Sequence, residues 1–175
     1  MKTTYKLVFS AMFLAIGIIL PFFTGQIPQI GNLFLPMHFT IFLCAFICGW
    51  QYGTTVGFIL PLLRSFMFGA PILYPNAIAM SLELCIYGLV AGLIYHTVKH
   101  RNIFSVYLSM ISAMICGRGV WGFAQFLLLG VKAEDFTLQM FTSAAFINAV
   151  PGILLQLILI PAIISVLNWK IQKAE

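Results

Sequence analysis

Six apolar runs account for most of this sequence, and only three charged side chains, Arg64, Glu83 and Arg118, fall well inside them. The runs cover about 5–23, 36–50, 53–68, 77–97, 103–129 and 139–168, with Gly, Pro and charge between them. Such segments leave a fold in water with nothing polar to present. The chain is 62% hydrophobic and 7% charged, whereas soluble domains carry about a quarter charged residues. Its solvent is therefore lipid. The expected fold is an all-α integral membrane protein, a single domain over 1–175 with six transmembrane helices in one bundle. A spanning helix needs about 20 apolar residues, so the short second and third runs read as a tilted hairpin. No A-x-A pattern follows the first run, which reads as a retained helix and not a cleaved leader.

Basic residues set the orientation. Lys2 and Lys6 flank helix one, Lys99 and Arg101 lie between helices four and five, and Lys170 and Lys173 follow helix six. With an even number of spans all of these fall on one side, leaving Lys132 on the other beside Glu134 and Asp135. The positive-inside rule places both termini in the cytoplasm of a multi-pass cell-membrane protein. The net charge of +5 is thus an orientation signal and not a nucleic-acid footprint. The long outer loop 1, residues 24–38, carries Gly25, Pro28, Gly31 and Pro36. A connection of that length is expected to act as a lid.

The three charges inside the runs are where function is expected. Each costs about 3 kcal/mol or more at mid-membrane, so each must face a bundle interior or cavity. Arg64 and Glu83 lie at similar depths, roughly 6 and 9 Å below the outer ends of their helices by helical rise. An Arg64–Glu83 pair is feasible on that basis, with Arg118 as the spare cation. The competing reading is an internal ion network that only fixes packing. Arg118, Trp121 and Gln125 share a helix face, as do Asn76, Glu83 and Tyr87, and as do Asn148, Gly152 and Gln156. His38 stands where the outer loop meets helix two, as a structural residue or as a ligand contact from the lid. Placed polar groups among apolar walls are the pattern of a small-molecule site. The candidate ligand-binding residues are Arg64, Glu83, Tyr87, Arg118, Trp121, Gln125, Asn148, His38 and Asn76. On helix one, Ala11 and Ala15 form a small-xxx-small pair that permits close helix approach.

Several chemistries are excluded. There is no G-x-x-x-x-G-K-[ST] loop, so the chain does not hydrolyse ATP itself, and there is no H-E-x-x-H. Cys44, Cys48, Cys85 and Cys116 all lie in apolar runs and read as small hydrophobes. They are too few for a metal site without other ligands, so no metal and no cofactor are expected.

Taken whole, the chain resembles the substrate-binding S components of energy-coupling factor (ECF) vitamin transporters. The resemblance rests on size, six helices, cytoplasmic termini and the long outer loops. It also rests on Ala11-Met12-Phe13-Leu14-Ala15, on Leu35-Pro36-Met37-His38 through Gly49-Trp50-Gln51-Tyr52-Gly53, on Pro61-Leu62-Leu63-Arg64, and on Tyr74-Pro75-Asn76-Ala77 leading to Glu83 and Gly88. It implies high-affinity capture of a water-soluble vitamin near the outer face, with no enzymatic activity. It further implies that the surface of Ala11 and Ala15 docks on a transmembrane T component driven by two cytoplasmic ATPases. The metal-transporting relatives begin Met-His, whereas this chain begins Met1-Lys2-Thr3. Arg118 and Arg64 suit a carboxylate, and Glu83, Asn148 and Gln125 suit hydroxyls or amides, so pantothenate is the first expectation. Riboflavin, a pyridoxine-type ligand or a queuosine precursor is the alternative, since Trp121 and Tyr87 suit stacking on a flat ring. A stand-alone proton-coupled carrier using Glu83 is the competing function.

Overall fold

The structure is a computed structural model that describes residues 3–23, 35–98, 102–130 and 149–174. Among these residues it is helical with no strand. The helices are α1 (Thr3–Phe23), α2 (Pro36–Cys48), α3 (Trp50–Phe68), α4 (Ile78–Thr97), α5 (Ile103–Gly130) and α6 (Val150–Ala174). A wide helical turn, Leu73–Ala77, leads into α4. The residues between 24 and 34, including most of the expected lid, and those from 131 to 148, including the expected start of helix six at 139, lie outside the described part.

The bundle has an apolar core like that of a protein in water, but its surface is apolar too and its intramembrane charges lie inside. Phe66, Phe104, Ile115, Phe123, Phe126 and Ile158 are exposed, while His38, Arg64, Glu83, Arg118, Gln125 and Gln156 are buried. Apolar side chains outward and polar ones inward is the arrangement lipid selects. Among the described residues four helices are long and apolar enough to cross a membrane: the one-piece Leu73–Thr97 segment, α1, α5 and α6. The third run is expected at 53–68, but α3 begins at Trp50. The break falls at Gly49, whose φ of 105° and ψ of 166° suit a residue without Cβ.

The 13-residue α2 is short because it is not a lipid-facing span. Ile41, Phe42, Cys44 and Ala45 are fully buried, so protein and not lipid surrounds it. Its Phe42 and Phe46 rings stack at 6.1 Å, and Phe46 meets Tyr95 of α4 at 4.8 Å. Around this core, α4 packs between α3 and α5, and α1 lies against α2 and α3.

The α3–α4 contact is made backbone to backbone. Gly57 on α3 faces Leu84 on α4, and Gly88 and Gly92 on α4 face Gly53 and Trp50 on α3, while Gly53 itself lies against Ala45 of α2. A Cβ at Gly57 would strike the Leu84 carbonyl, and one at Gly88 would strike the Gly53 carbonyl. With no hydrophobic drive between helices in lipid, such close approach supplies the dispersion and Cα–H contacts that hold helices together. This contact fixes the rotation of α4, and so decides which way Glu83 points.

Candidate functional site

The site grows from one face of α4. Glu83 and Tyr87 are one turn apart and so project together toward α2 and α5. Both are almost wholly buried. α5 comes close because residue 117 is glycine: a Cβ there would overlap the Tyr87 ring. The next residue, Arg118, therefore reaches Glu83, its Nε 3.3 Å from Oε1. From α2, the fully buried His38 places Nε2 3.4 Å from the same oxygen. The His38 and Tyr87 rings meet edge to face at 5.2 Å.

His38 is aimed by the way α2 starts. Pro36 occupies the first turn, where its missing N–H costs nothing. Leu35 before it adopts the left-handed conformation, φ 49° and ψ 50°, which is uncommon for a residue with a branched side chain. Its carbonyl accepts the His38 backbone N–H at 3.1 Å and Gln156 Nε2 of α6 at 3.4 Å. One bent residue thus ties the entrance of α2 to α6. A second tie links the turn before α4 to α5: Gln125 Nε2 donates to Asn76 Oδ1 at 3.1 Å. The Tyr74 hydroxyl donates to the Leu128 carbonyl beside it.

Charge holds this cluster together, but its hydrogen-bonding capacity is unfilled. Both His38 ring nitrogens, Glu83 Oε1, Arg118 Nε and Nη2, and the Oε1 atoms of Gln125 and Gln156 are buried without an aligned partner among the described residues. Buried polar groups are nearly always paired, and an unpaired one costs about 1–3 kcal/mol. The seven unfilled atoms belong to five residues on four helices, α2, α4, α5 and α6.

The structure corrects the expected pairing. Arg64 does not meet Glu83. Its Nη1 donates to the Ile18 carbonyl of α1 at 2.5 Å, and its guanidinium lies 5.1 Å from the Phe22 ring and 5.6 Å from that of Phe68. Similar depth was not enough, because Arg64 sits on the side of α3 that faces α1. Arg118 is correspondingly not a spare cation: Glu83 balances it. His38, Glu83, Tyr87 and Arg118 are brought together from α2, α4 and α5, and Gln125 of α5 bonds to Asn76 in the turn before α4. Trp121 is half-buried on α5. Asn148 lies outside the described residues. Ala11 and Ala15 are on the exposed face of α1. Gln156 joins the site through Leu35, a role its shared face with Asn148 hinted at. The left-handed Leu35 had no sequence signal beyond the proline that follows it.

The family model described as "ECF transporter, substrate-specific component" matches residues 5–167. Neither the curated proteins nor the solved structures give a match.

Proposed function

This chain belongs to the family of ECF transporter substrate-specific components, and from that premise we infer that the Glu83 cluster is where it captures its cargo. It is a multi-pass cell-membrane protein and a substrate-binding transporter subunit, not an enzyme. Its family implies a small-molecule substrate and, in general, T-component and ATPase partners. The finer reading is capture of a water-soluble vitamin at the outer face and delivery inward as one subunit of an ATP-driven importer. Its termini lie in the cytoplasm.

The observation that carries this reading is the set of buried, unfilled polar atoms around Glu83, His38 and Arg118 in an otherwise apolar bundle. Desolvated charges that have already met each other cost little more to enclose around a ligand. The surrounding apolar walls then raise the strength of each hydrogen bond to it.

A thermal-shift screen of the detergent-solubilised chain tests it, with pantothenate, riboflavin, pyridoxine and queuosine-precursor bases in the panel. A ligand of the folded state must stabilise it, by about 4 kcal/mol at 1,000 times its dissociation constant. A single clear stabiliser is expected. A folded protein that responds to nothing sinks the capture reading. Uptake by the chain alone that an uncoupler abolishes would favour the proton-coupled carrier instead.

The partner surface makes a separate prediction. Ala11 and Ala15 are exposed on α1 together with Leu7, Met12, Ile16 and Ile19. Ala15→Trp removes no internal contact, so stability and ligand affinity should hold within about twofold. The added ring would block close approach of a partner helix, and uptake in cells supplying the T component and ATPases should be lost. Uptake at the parental rate in that variant rejects this face as the docking surface.

A further inference from the structure

The charges at the site cancel before any cargo arrives. Glu83 contributes one negative charge and Arg118 one positive, 3.3 Å apart and both at least nine-tenths buried. The third charge inside the membrane, Arg64, is engaged away from them by the Ile18 carbonyl and the Phe22 and Phe68 rings. Among the described residues no further lysine, arginine, aspartate or glutamate has an ion-pair contact with this cluster. With His38 in its neutral form, a carboxylate or phosphate brought in would stand in a buried site with no uncompensated cation to meet it. A cationic ligand would face the same problem with the sign reversed. Desolvating an unbalanced charge is among the most unfavourable steps in binding.

The unfilled atoms are of both kinds. Arg118 Nη2 is a donor, the Oε1 atoms of Gln125 and Gln156 are acceptors, and His38 Nδ1 is either according to tautomer. A ligand that satisfies them must accept and donate in turn. Resting on the capture reading above, we propose that the cargo is taken as an uncharged molecule with an amide-like or lactam edge. Its carbonyl meets Arg118 and its N–H groups meet the glutamine oxygens. This reverses the expectation of a carboxylate ligand, which depended on Arg118 being unpaired.

The test compares pairs in which one member carries a carboxylate or phosphate that the other lacks: nicotinamide with nicotinate, pantothenol with pantothenate, and riboflavin with its 5′-phosphate. Dissociation constants are measured on the solubilised wild-type chain by titration calorimetry, with thermal shift as a second readout. In whichever pair responds, the uncharged member is expected to bind at least about tenfold tighter. Glu83→Gln, which leaves Arg118 uncompensated, should narrow or reverse that preference, provided the variant's circular dichroism shows the parental helix content. Equal affinity within the responding pair, or tighter binding of the anion by the wild-type chain, overturns the proposal while leaving the capture reading intact. Silence from all three pairs in a folded chain that a charged compound of the wider screen stabilises overturns the proposal alone; a folded chain that responds to nothing in either panel removes the capture reading with it.

Discussion

Arg118→Ala should lower the stability of the ligand-free chain by about 3–5 kcal/mol, the cost of leaving a buried partner charge unpaired. It should also abolish stabilisation by whatever ligand the screen finds. An unpaired arginine at the site would be removable with little effect on folding. The Arg118 seen here is not, because its Nε is the strong countercharge 3.3 Å from Glu83. The other neighbour, His38 at 3.4 Å, balances Glu83 only if it takes up a proton. Arg118→Lys separates the two effects. An ammonium restores the charge and with it part of the stability, but it lacks the second planar nitrogen and the fork geometry, so ligand binding should stay impaired. Denaturant titration in detergent micelles gives the first quantity and the thermal response to ligand gives the second. An Arg118→Ala chain as stable as the parent would show that the pair does not carry the site.

Gly88→Leu is expected to be more damaging still, and through the fold and not the chemistry. Even the first carbon of a side chain there meets the Gly53 carbonyl across the α3–α4 contact. Overpacking a core with methylenes costs about 1–3 kcal/mol when side chains can shift aside. Here the obstacle is backbone, so α3 and α4 must separate along their length. The consequence reaches function because α4 carries both Glu83 and Tyr87. Gly119→Ala is the control on the neighbouring helix. A Cβ at Gly119 meets nothing within 4 Å, so the better helix propensity of alanine should leave stability unchanged or raise it by up to about 1 kcal/mol. Reduced folded yield and loss of the ligand response are expected for Gly88→Leu alone. A well-folded, ligand-responsive Gly88→Leu chain would mean that close glycine packing does not set the position of α4.

These expectations depend differently on sequence and on structure. The six helices were legible because hydropathy is a local property: a run of apolar residues demands lipid whatever its neighbours do. That Arg64, Glu83 and Arg118 must lie inside the bundle was legible for the same reason, since a charge facing lipid is costly wherever it occurs. The common face of Arg118 with Gln125, and of Glu83 with Tyr87 and Asn76, followed from helical periodicity. The glycine pairs 53/57 and 88/92 carried a small-xxx-small signal of the kind read at Ala11 and Ala15, but such spacing does not say which helix it will meet.

The partner of each charge was decided only in three dimensions. Counting residues along a helix gives depth, and at that level Arg64 matched Glu83. Pairing also depends on rotation about the helix axis and on which helices are neighbours. The close α3–α4 glycine contact sets that rotation, turning Glu83 toward α2 and α5 while Arg64 faces α1. Gly117 lets α5 reach Tyr87, and the left-handed Leu35 brings His38 to Glu83. Which charges the chain must bury is a local demand that the sequence states. Which of them neutralise one another is a relation between helices, and backbone contacts between the helices settle it.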